Sequence, residues 1–279
     1  FALAHMVNDF DILKSYLDEG ANGVETDITF SDEGEPEYAF HGVPCDCKRW
    51  CRRTVGFNEY LQHVRDLSTP GNPKFREHFI AIVLDLKLNG LSQEALAHGG
   101  MRLADKLIAY YWAHGRNATR ITFIVSVPKT SEKVFLKTFL EEIKAVGYDD
   151  MLSKVAFDFT DNGDFSETQK VFEGLGIHEH IWASDGITNC IPLLFRGTSR
   201  LEDLIRQRDV PGYKYISKVY AWTYDKETSV VKALELGVDG VMTNYADFVI
   251  GIINKPEHSS KYRLATYQDN PFEKFVKSA

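Results

Sequence analysis

Short runs of β-branched and other apolar residues alternate along the chain with longer stretches in which apolar positions recur at helical spacing. That alternation is the signature of βα units around a parallel sheet. The pattern predicts strands over residues 2–5, 23–30, 80–87, 120–127, 154–159, 180–185, 217–223 and 240–243. Helices are predicted over 10–19, 57–67, 92–113, 132–146, 167–175, 201–208, 227–236 and 246–254. Eight alternating pairs read as a single α/β (β/α)8 TIM barrel over residues 1–279, one domain; such barrels take about 250 residues. Gly20, Gly147, Gly176 and Gly237 each follow a predicted helix, where a left-handed cap is wanted.

Two segments fall outside the alternation. Residues 31–56, rich in Gly, Pro, Cys and charge, join the second strand to its helix and are far longer than an ordinary βα loop, which points to function. Residues 255–279 are polar with little periodicity and are expected to pack across the barrel as a tail. There is no sequence repeat and no low-complexity tract.

Composition narrows the class. Hydrophobic residues make up 44% and charged residues 26%, as in soluble globular proteins. Forty acidic against 32 basic residues give a net charge of −8, which argues against nucleic acid as a partner, because phosphate backbones demand clustered Lys and Arg. No apolar run reaches the length of a transmembrane segment. Residues 1–5 are too short for a signal peptide, so a mature or trimmed chain whose leader, if any, has gone is expected.

Cys45, Cys47 and Cys51 crowd together and Cys190 stands apart. Disulfides in an oxidising compartment are one reading; a zinc cluster is the other, although the spacing is not that of a zinc knuckle. Asn117-Ala118-Thr119 is a glycosylation sequon, compatible with secretion.

Barrel chemistry sits where strands end. The first predicted strand ends in His5; the second carries Glu25 and Asp27, the third Asp85 and Lys87; the seventh offers Tyr220 and Trp222 and the eighth ends near Asn244. Residues two apart share a face, so Glu25 pairs with Asp27 and Asp85 with Lys87 among apolar neighbours. Burying a carboxylate without compensation costs about 1–3 kcal/mol or more, and one lysine cannot balance three. A hard divalent cation can, and Mg2+ suits carboxylates, waters and phosphate oxygens. The competing reading is a buried salt-bridge network of the same four residues with a distant arginine.

His5 and His41 are candidates for general acid and base; the other seven histidines are read as ordinary surface or core imidazoles. A cation flanked by two imidazoles suits phosphodiester cleavage, and Lys87 adds a point charge for a phosphate oxygen. Tyr220 and Trp222 face one way and either offer a π surface to a cationic amine headgroup or serve as barrel core. The apolar run 191–195 either touches lipid or is buried.

These residues resemble a known family. His5-Met6-Val7-Asn8, Gly23-Val24-Glu25-Thr26-Asp27, the stretch 38–47 around His41, Asp85-Leu86-Lys87, the stretch 184–190, Met242-Thr243-Asn244-Tyr245 and the tail stretch 265–272 look like the sphingomyelinase D, or dermonecrotic toxin, family of sicariid spider venoms, over nearly the whole chain. The resemblance implies a secreted barrel related to glycerophosphodiester phosphodiesterases that acts as a phospholipase D on sphingolipids and lysolipids. It implies Mg2+ on Glu25, Asp27 and Asp85, His5 and His41 as acid and base, and a pocket with Lys87, Tyr220, Trp222, Asp225 and Asn244. It also implies disulfides Cys45–Cys51 and Cys47–Cys190, and attack by the lipid's own hydroxyl to give a cyclic phosphate, helped by intramolecular effective concentration. Phe40 stands where a tyrosine is common and Ala183 where a glutamine is, which leaves choline- and ethanolamine-headed substrates both open. A monomer with only peripheral membrane contact is expected. The alternatives are a soluble glycerophosphodiester phosphodiesterase of the same fold and a non-enzymatic lipid-binding barrel.

Overall fold

The computed structural model describes residues 1–42, 53–112, 120–188 and 197–274. Its strands are β1 (Ala2–Ala4), β2 (Gly23–Phe30), β3 (Pro36–Ala39), β4 (Val55–Gly56), β5 (Ala81–Lys87), β6 (Thr122–Val127), β7 (Val155–Phe159), β8 (Ile181–Gly186), β9 (Ile216–Trp222) and β10 (Gly240–Thr243). Eight of them pair in parallel in the order β1-β2-β5-β6-β7-β8-β9-β10, and β1 pairs with β10, so the sheet closes into the expected barrel. Around it run α1 (Phe10–Asp18), α2 (Phe57–Ser68), α3 (Gln93–Lys106), α4 (Lys133–Ala145), α5 (Phe165–Gly174), α6 (Ser199–Arg208), α7 (Glu227–Leu236) and α8 (Ala246–Ile253).

Period-two alternation sorts the side chains of each strand between two cores. On β5, Ile82, Leu84 and Leu86 face the helices, while Ala81 and Val83 face the barrel interior. On β7, Val155, Phe157 and Phe159 face outward and Ala156 inward. The outer core carries most of the buried apolar surface, at about 1.5–3 kcal/mol for each large side chain removed from water. The interior core is smaller and fills the barrel around Leu3, Ile124, Ala156, Trp182 and Met242.

Helix ends follow local chemistry. Asp9 accepts from the Ile12 amide at 2.9 Å, Ser92 from Ala95 at 3.1 Å and Asp164 from Ser166 at 2.8 Å, each cap being worth about 1 kcal/mol. Gly20, Gly147, Gly176 and Gly237 have φ of 95°, 74°, 74° and 93°, the left-handed caps expected of them.

The structure departs from the sequence pattern in two places. β3 and β4 add an antiparallel ribbon to β2, pairing Ile28 with Ala39 and Tyr38 with Gly56, within the segment 31–56 read as loop. Pro-Glu-Tyr-Ala and Val-Gly are too short and too polar to register as strands; the edge of β2 recruits them. The helix predicted over 92–113 ends at Lys106 and continues as a π-helical turn, Leu107–Trp112. The wider turn brings the adjacent Tyr111 and Trp112 both into the core, edge-on to Phe123 at 4.9 and 5.9 Å.

The tail closes the end of the barrel opposite the strand C-termini. The Trp182 indole donates to the Pro271 carbonyl at 2.9 Å, Asn22 Nδ2 to that of Ala265 at 2.9 Å, and Lys218 Nζ to that of Glu273 at 2.5 Å. Phe272 stacks on His180 with ring centroids 3.7 Å apart. Among the described residues no helix is long and apolar enough to cross a membrane.

Candidate active site

At the open end of the barrel β2 delivers Glu25 and Asp27, and β5 delivers Asp85 and Lys87; Asp27 and Asp85 are direct partners in the ladder. One oxygen from each of Glu25, Asp27 and Asp85 lies within 4.8 Å of the others. Lys87 Nζ sits 2.7 Å from Asp27 Oδ1 and 2.7 Å from Asp85 Oδ2. Asn8 clamps Asp27 from behind: its Nδ2 donates to Asp27 Oδ2 at 2.6 Å, and its Oδ1 accepts from the Asp27 amide at 2.9 Å. Glu25 Oε2 accepts from the Met6 amide at 2.7 Å, presented by a residue with φ of 56°, a backbone conformation that costs about 1–3 kcal/mol outside glycine.

Lys87 is thus committed to two carboxylates, and among the described residues no Lys or Arg nitrogen forms an ion pair with Glu25, whose Oε2 lies 3.8 Å from His5 Nε2. The Glu25 Oε1 is buried and has no hydrogen-bond partner among the described residues. Among the described residues no arginine pairs with any of the three acids, so the salt-bridge reading is left short of a cation. Burial, then the charges of Asp27 and Asp85, push the Glu25 carboxyl well above its ordinary range. Burial alone would raise Asp27 too, but Lys87, His41 and the Asn8 hydrogen bond outweigh it and hold the carboxyl low. Burial likewise would lower the Lys87 ammonium, and the charges of Asp85 and Asp27 override it and raise it. An all-oxygen cluster with an orphaned carboxylate oxygen fits a hard divalent ion.

The histidines approach from two elements. His5 follows β1, and its Nδ1 lies 3.0 Å from Asn244 Oδ1. Asn244 is itself pinned by Asp225, which accepts from Asn244 Nδ2 at 2.7 Å, from its amide at 2.8 Å and from Thr243 Oγ1 at 3.0 Å. With the amide nitrogen of Asn244 spent on Asp225, its oxygen faces His5 and accepts from Nδ1–H, so the neutral imidazole turns the Nε2 lone pair toward Glu25. His41 follows β3, where the Phe40 amide donates to the Asp27 carbonyl at 2.9 Å and continues the ladder; the ribbon missed in the sequence is what carries this histidine in. His41 Nδ1 is buried and has no hydrogen-bond partner among the described residues.

All these groups meet on one cavity of about 230 Å³. His5, His41, Glu25, Asp27, Asp85 and Lys87 form one side, and Ser126, Thr188, Tyr220 and Trp222 contribute to the other. Tyr220 is both wall and core: it lines the cavity, is 1% exposed, and packs in the interior core with Trp182. Asp225 and Asn244 stand behind His5. Asn8, Ser126 and Asp158 were not singled out in the sequence; the inward phase of β6 and β7 was the available signal for the last two. Cys45, Cys47, Cys51, Cys190, Asn117 and the run 191–195 lie outside the described residues. A larger cavity of about 540 Å³ lies at the tail end of the barrel and holds none of the predicted site residues.

Residues 1–272 match the family model described as dermonecrotic toxin SPH. The dermonecrotic toxin LspiSicTox-betaIE4ii of Loxosceles spinulosa is 78% identical over 276 residues, covering 99% of this chain and 100% of that one. LafSicTox-betaIE2 of Loxosceles aff. spinulosa is 77% identical with the same coverage. Among solved structures, a glycerophosphodiester phosphodiesterase from Parabacteroides distasonis superposes with a TM-score of 0.57 at 14% identity, covering 93% of this chain and 98% of that one. At that identity the likeness speaks for the barrel alone.

Proposed function

Because the chain belongs to the dermonecrotic toxin SPH family, we propose that it is a Mg2+-dependent phospholipase D of the sphingomyelinase D type, releasing the headgroup alcohol from sphingolipids and lysophospholipids. The family also gives the setting: the chain is a secreted venom protein. We read residues 1–279 as one catalytic domain acting as a monomer at membrane surfaces, with disulfides Cys45–Cys51 and Cys47–Cys190.

The observation that carries the reading is the meeting of two imidazoles and a three-carboxylate cluster, one of whose oxygens lacks a partner, on a single cavity. Glu25, Asp27 and Asp85 would hold Mg2+, which when bound supplies Lewis-acid neutralisation of phosphoryl charge. Lys87 keeps Asp27 and Asp85 apart from each other's charge and points a cation at the cavity. One histidine takes the proton of the lipid's own hydroxyl as its oxygen bonds to phosphorus. The other protonates the headgroup oxygen as its bond to phosphorus breaks, leaving a cyclic phosphate and a free alcohol. The intramolecular nucleophile needs no bound water, and its effective concentration is high. Asn244, held by Asp225, keeps His5 in the tautomer whose Nε2 faces the site.

The test is phosphorus NMR of the products from sphingomyelin and, separately, from glycerophosphocholine. A cyclic phosphate from the sphingolipid, lost on chelation and restored by Mg2+, is the expected result. Faster turnover of the soluble glycerophosphodiester, or an open phosphomonoester as first product, would overturn the assignment.

A further inference from the structure

His41 reaches the cavity at the far end of a strand whose own ladder fixes it poorly. β3 pairs with β2 at Ile28–Ala39 and Thr29–Tyr38, but between Thr29 and Phe30 the register shifts, and Phe30 faces Pro36. Pro36 opens the strand and has no amide hydrogen to donate. A slip of one residue would carry His41 about 3.3 Å along the sheet.

Side chains take over where the ladder fails. Glu35, the residue before Pro36, is gripped from α3: its Oε2 accepts from Arg102 Nε at 2.8 Å, and its Oε1 lies 2.8 Å from Lys106 Nζ. The same ammonium donates to Asn58 Oδ1 at 3.0 Å, in the first turn of α2 just past β4. One nitrogen thus holds both the entry to β3 and the exit from β4. Lys106 is 8% exposed among these partners, and Arg102 is braced by Asp105 at 2.6 Å. Burial alone would raise the Glu35 carboxyl, but hydrogen bonds from Arg102 and Lys106 outweigh it and keep the group below its ordinary range, so the clamp is charged at neutral pH. The turn itself is seated on α3: His98 Nδ1 lies 2.8 Å from the Glu33 carbonyl oxygen, and a Cβ on Gly34 would stand 2.0 Å from that of Ala95.

We propose that Glu35 is a positioning residue: clamped by Lys106 and Arg102, it pins the register of β3 against β2 and thereby sets where His41 meets the cavity. The inference rests on the headgroup release proposed above and adds to it a residue that does not line the cavity. Its signature is a split in the kinetics, because the three carboxylates stand on β2 and β5, which the clamp does not hold.

The experiment measures kcat and KM for headgroup release from sphingomyelin micelles, with Mg2+ affinity by calorimetry, in wild type, Glu35→Ala and Lys106→Met. Both variants should lower kcat about tenfold or more, since a displacement of about 1 Å at a reacting group costs about 100-fold. KM and Mg2+ affinity should stay within about twofold of wild type. The Glu35 side chain is 32% exposed in a turn, so Glu35→Ala folds even where Lys106→Met is weakened. Added to His41→Ala, Glu35→Ala should cost nothing further; added to His5→Ala it should cost its full factor. Glu141→Gln, which breaks an exposed pair with Lys137 on α4, is the control and should change neither constant. Wild-type kcat in both variants overturns the proposal, as does a loss that falls on KM or Mg2+ affinity, or one that persists undiminished in His41→Ala. No release by the wild-type protein overturns the proposed reaction and this role together, whereas release unaffected by either variant overturns the role alone.

Discussion

Trp222 lines the cavity because β9 is held against β8 at a point where only glycine fits. A Cβ built on Gly186 would lie 1.8 Å from the Trp222 carbonyl oxygen, 2.6 Å from its carbon and 2.7 Å from Cδ2 of the indole. Neither side can slide away cheaply. Asn162 brackets Gly186, donating to its carbonyl at 3.1 Å and accepting from its amide at 3.2 Å. Ile187 and the end of β9 exchange backbone bonds, the Ile187 amide to the Trp222 carbonyl at 2.8 Å and the Thr223 amide to the Ile187 carbonyl at 3.0 Å. To bring the oxygen back even to 3.0 Å, the two strand ends must part by more than an ångström.

Gly186→Ala therefore inserts one methyl group between two strands that form the cavity wall. Overpacking of this kind costs about 1–3 kcal/mol, which lowers the melting temperature by about 2–5 °C in a chain of this size. A displacement of about 1 Å at a positioning wall costs about 100-fold in rate. Activity should thus fall much further than stability: headgroup release down about 100-fold in a protein that still unfolds cooperatively. Gly174→Ala, at the end of α5 with nothing within 4 Å of the added Cβ, is the control and should change neither. Thermal unfolding by circular dichroism and a headgroup-release assay at saturating Mg2+ make the comparison. Gly186→Ala with a melting temperature within about a degree of wild type and full activity would refute the close approach as the constraint on Trp222.

Four further outcomes follow from the same geometry. His5→Ala and His41→Ala should each lower headgroup release by about 100-fold or more while binding of Mg2+, measured by calorimetry, survives. Glu25→Ala should instead abolish that binding, and retained affinity would remove Glu25 from the ligand set. Asp158 has a folded value of about 6 against an ordinary 3.8, so the fold prefers the protonated acid; that stability is full below 3.8 and lost as pH rises through 6. The interval is worth about 3 kcal/mol, so denaturant unfolding should show Asp158→Asn gaining about that much on wild type between pH 4 and 7, and a pH-independent difference would contradict the shift. Phe272→Ala removes a half-buried ring from His180 and should cost about 1–2 kcal/mol in unfolding without altering KM, because the tail lies at the far end of the barrel.

The barrel was legible in the sequence because a strand packed between an inner and an outer core writes its phase into its residues. In Ala81–Lys87 every second position is Ile or Leu for the helices, and the others run from Ala and Val to Asp and Lys as the interior turns from apolar to polar. The same phase in Val155–Phe159 sets Asp158 inward between aromatic neighbours, and it was readable without being read. What could not be read were interactions that exist only after closure. The ribbon that carries His41 is made by the edge of β2 rather than by the propensity of Pro36–Ala39. The π turn at Leu107–Trp112 answers a packing demand from Phe123, a residue on another element. Asp225 carried a resemblance but no geometry and Asn244 only a place at a strand's end; the structure shows the two in line behind His5.

The interior charge explains why the cavity calls for a cation beyond Lys87. Toward the open end of the barrel, among the described residues, Glu25, Asp27, Asp85 and Asp158 share one interior ammonium, Lys87, so full ionisation leaves an excess of three negative charges there. The fold meets part of this by raising the Glu25 and Asp158 carboxyls toward their neutral forms. The two acids are not side by side, however: Asp27, Asp85, Ser126 and Asp158 follow one another across four strands, so the excess is spread along an arc. A divalent ion held by Glu25, Asp27 and Asp85 would neutralise the β2–β5 end of that arc, which is where the carboxylates crowd within 4.8 Å of one another and where Glu25 Oε1 lacks a hydrogen-bond partner among the described residues.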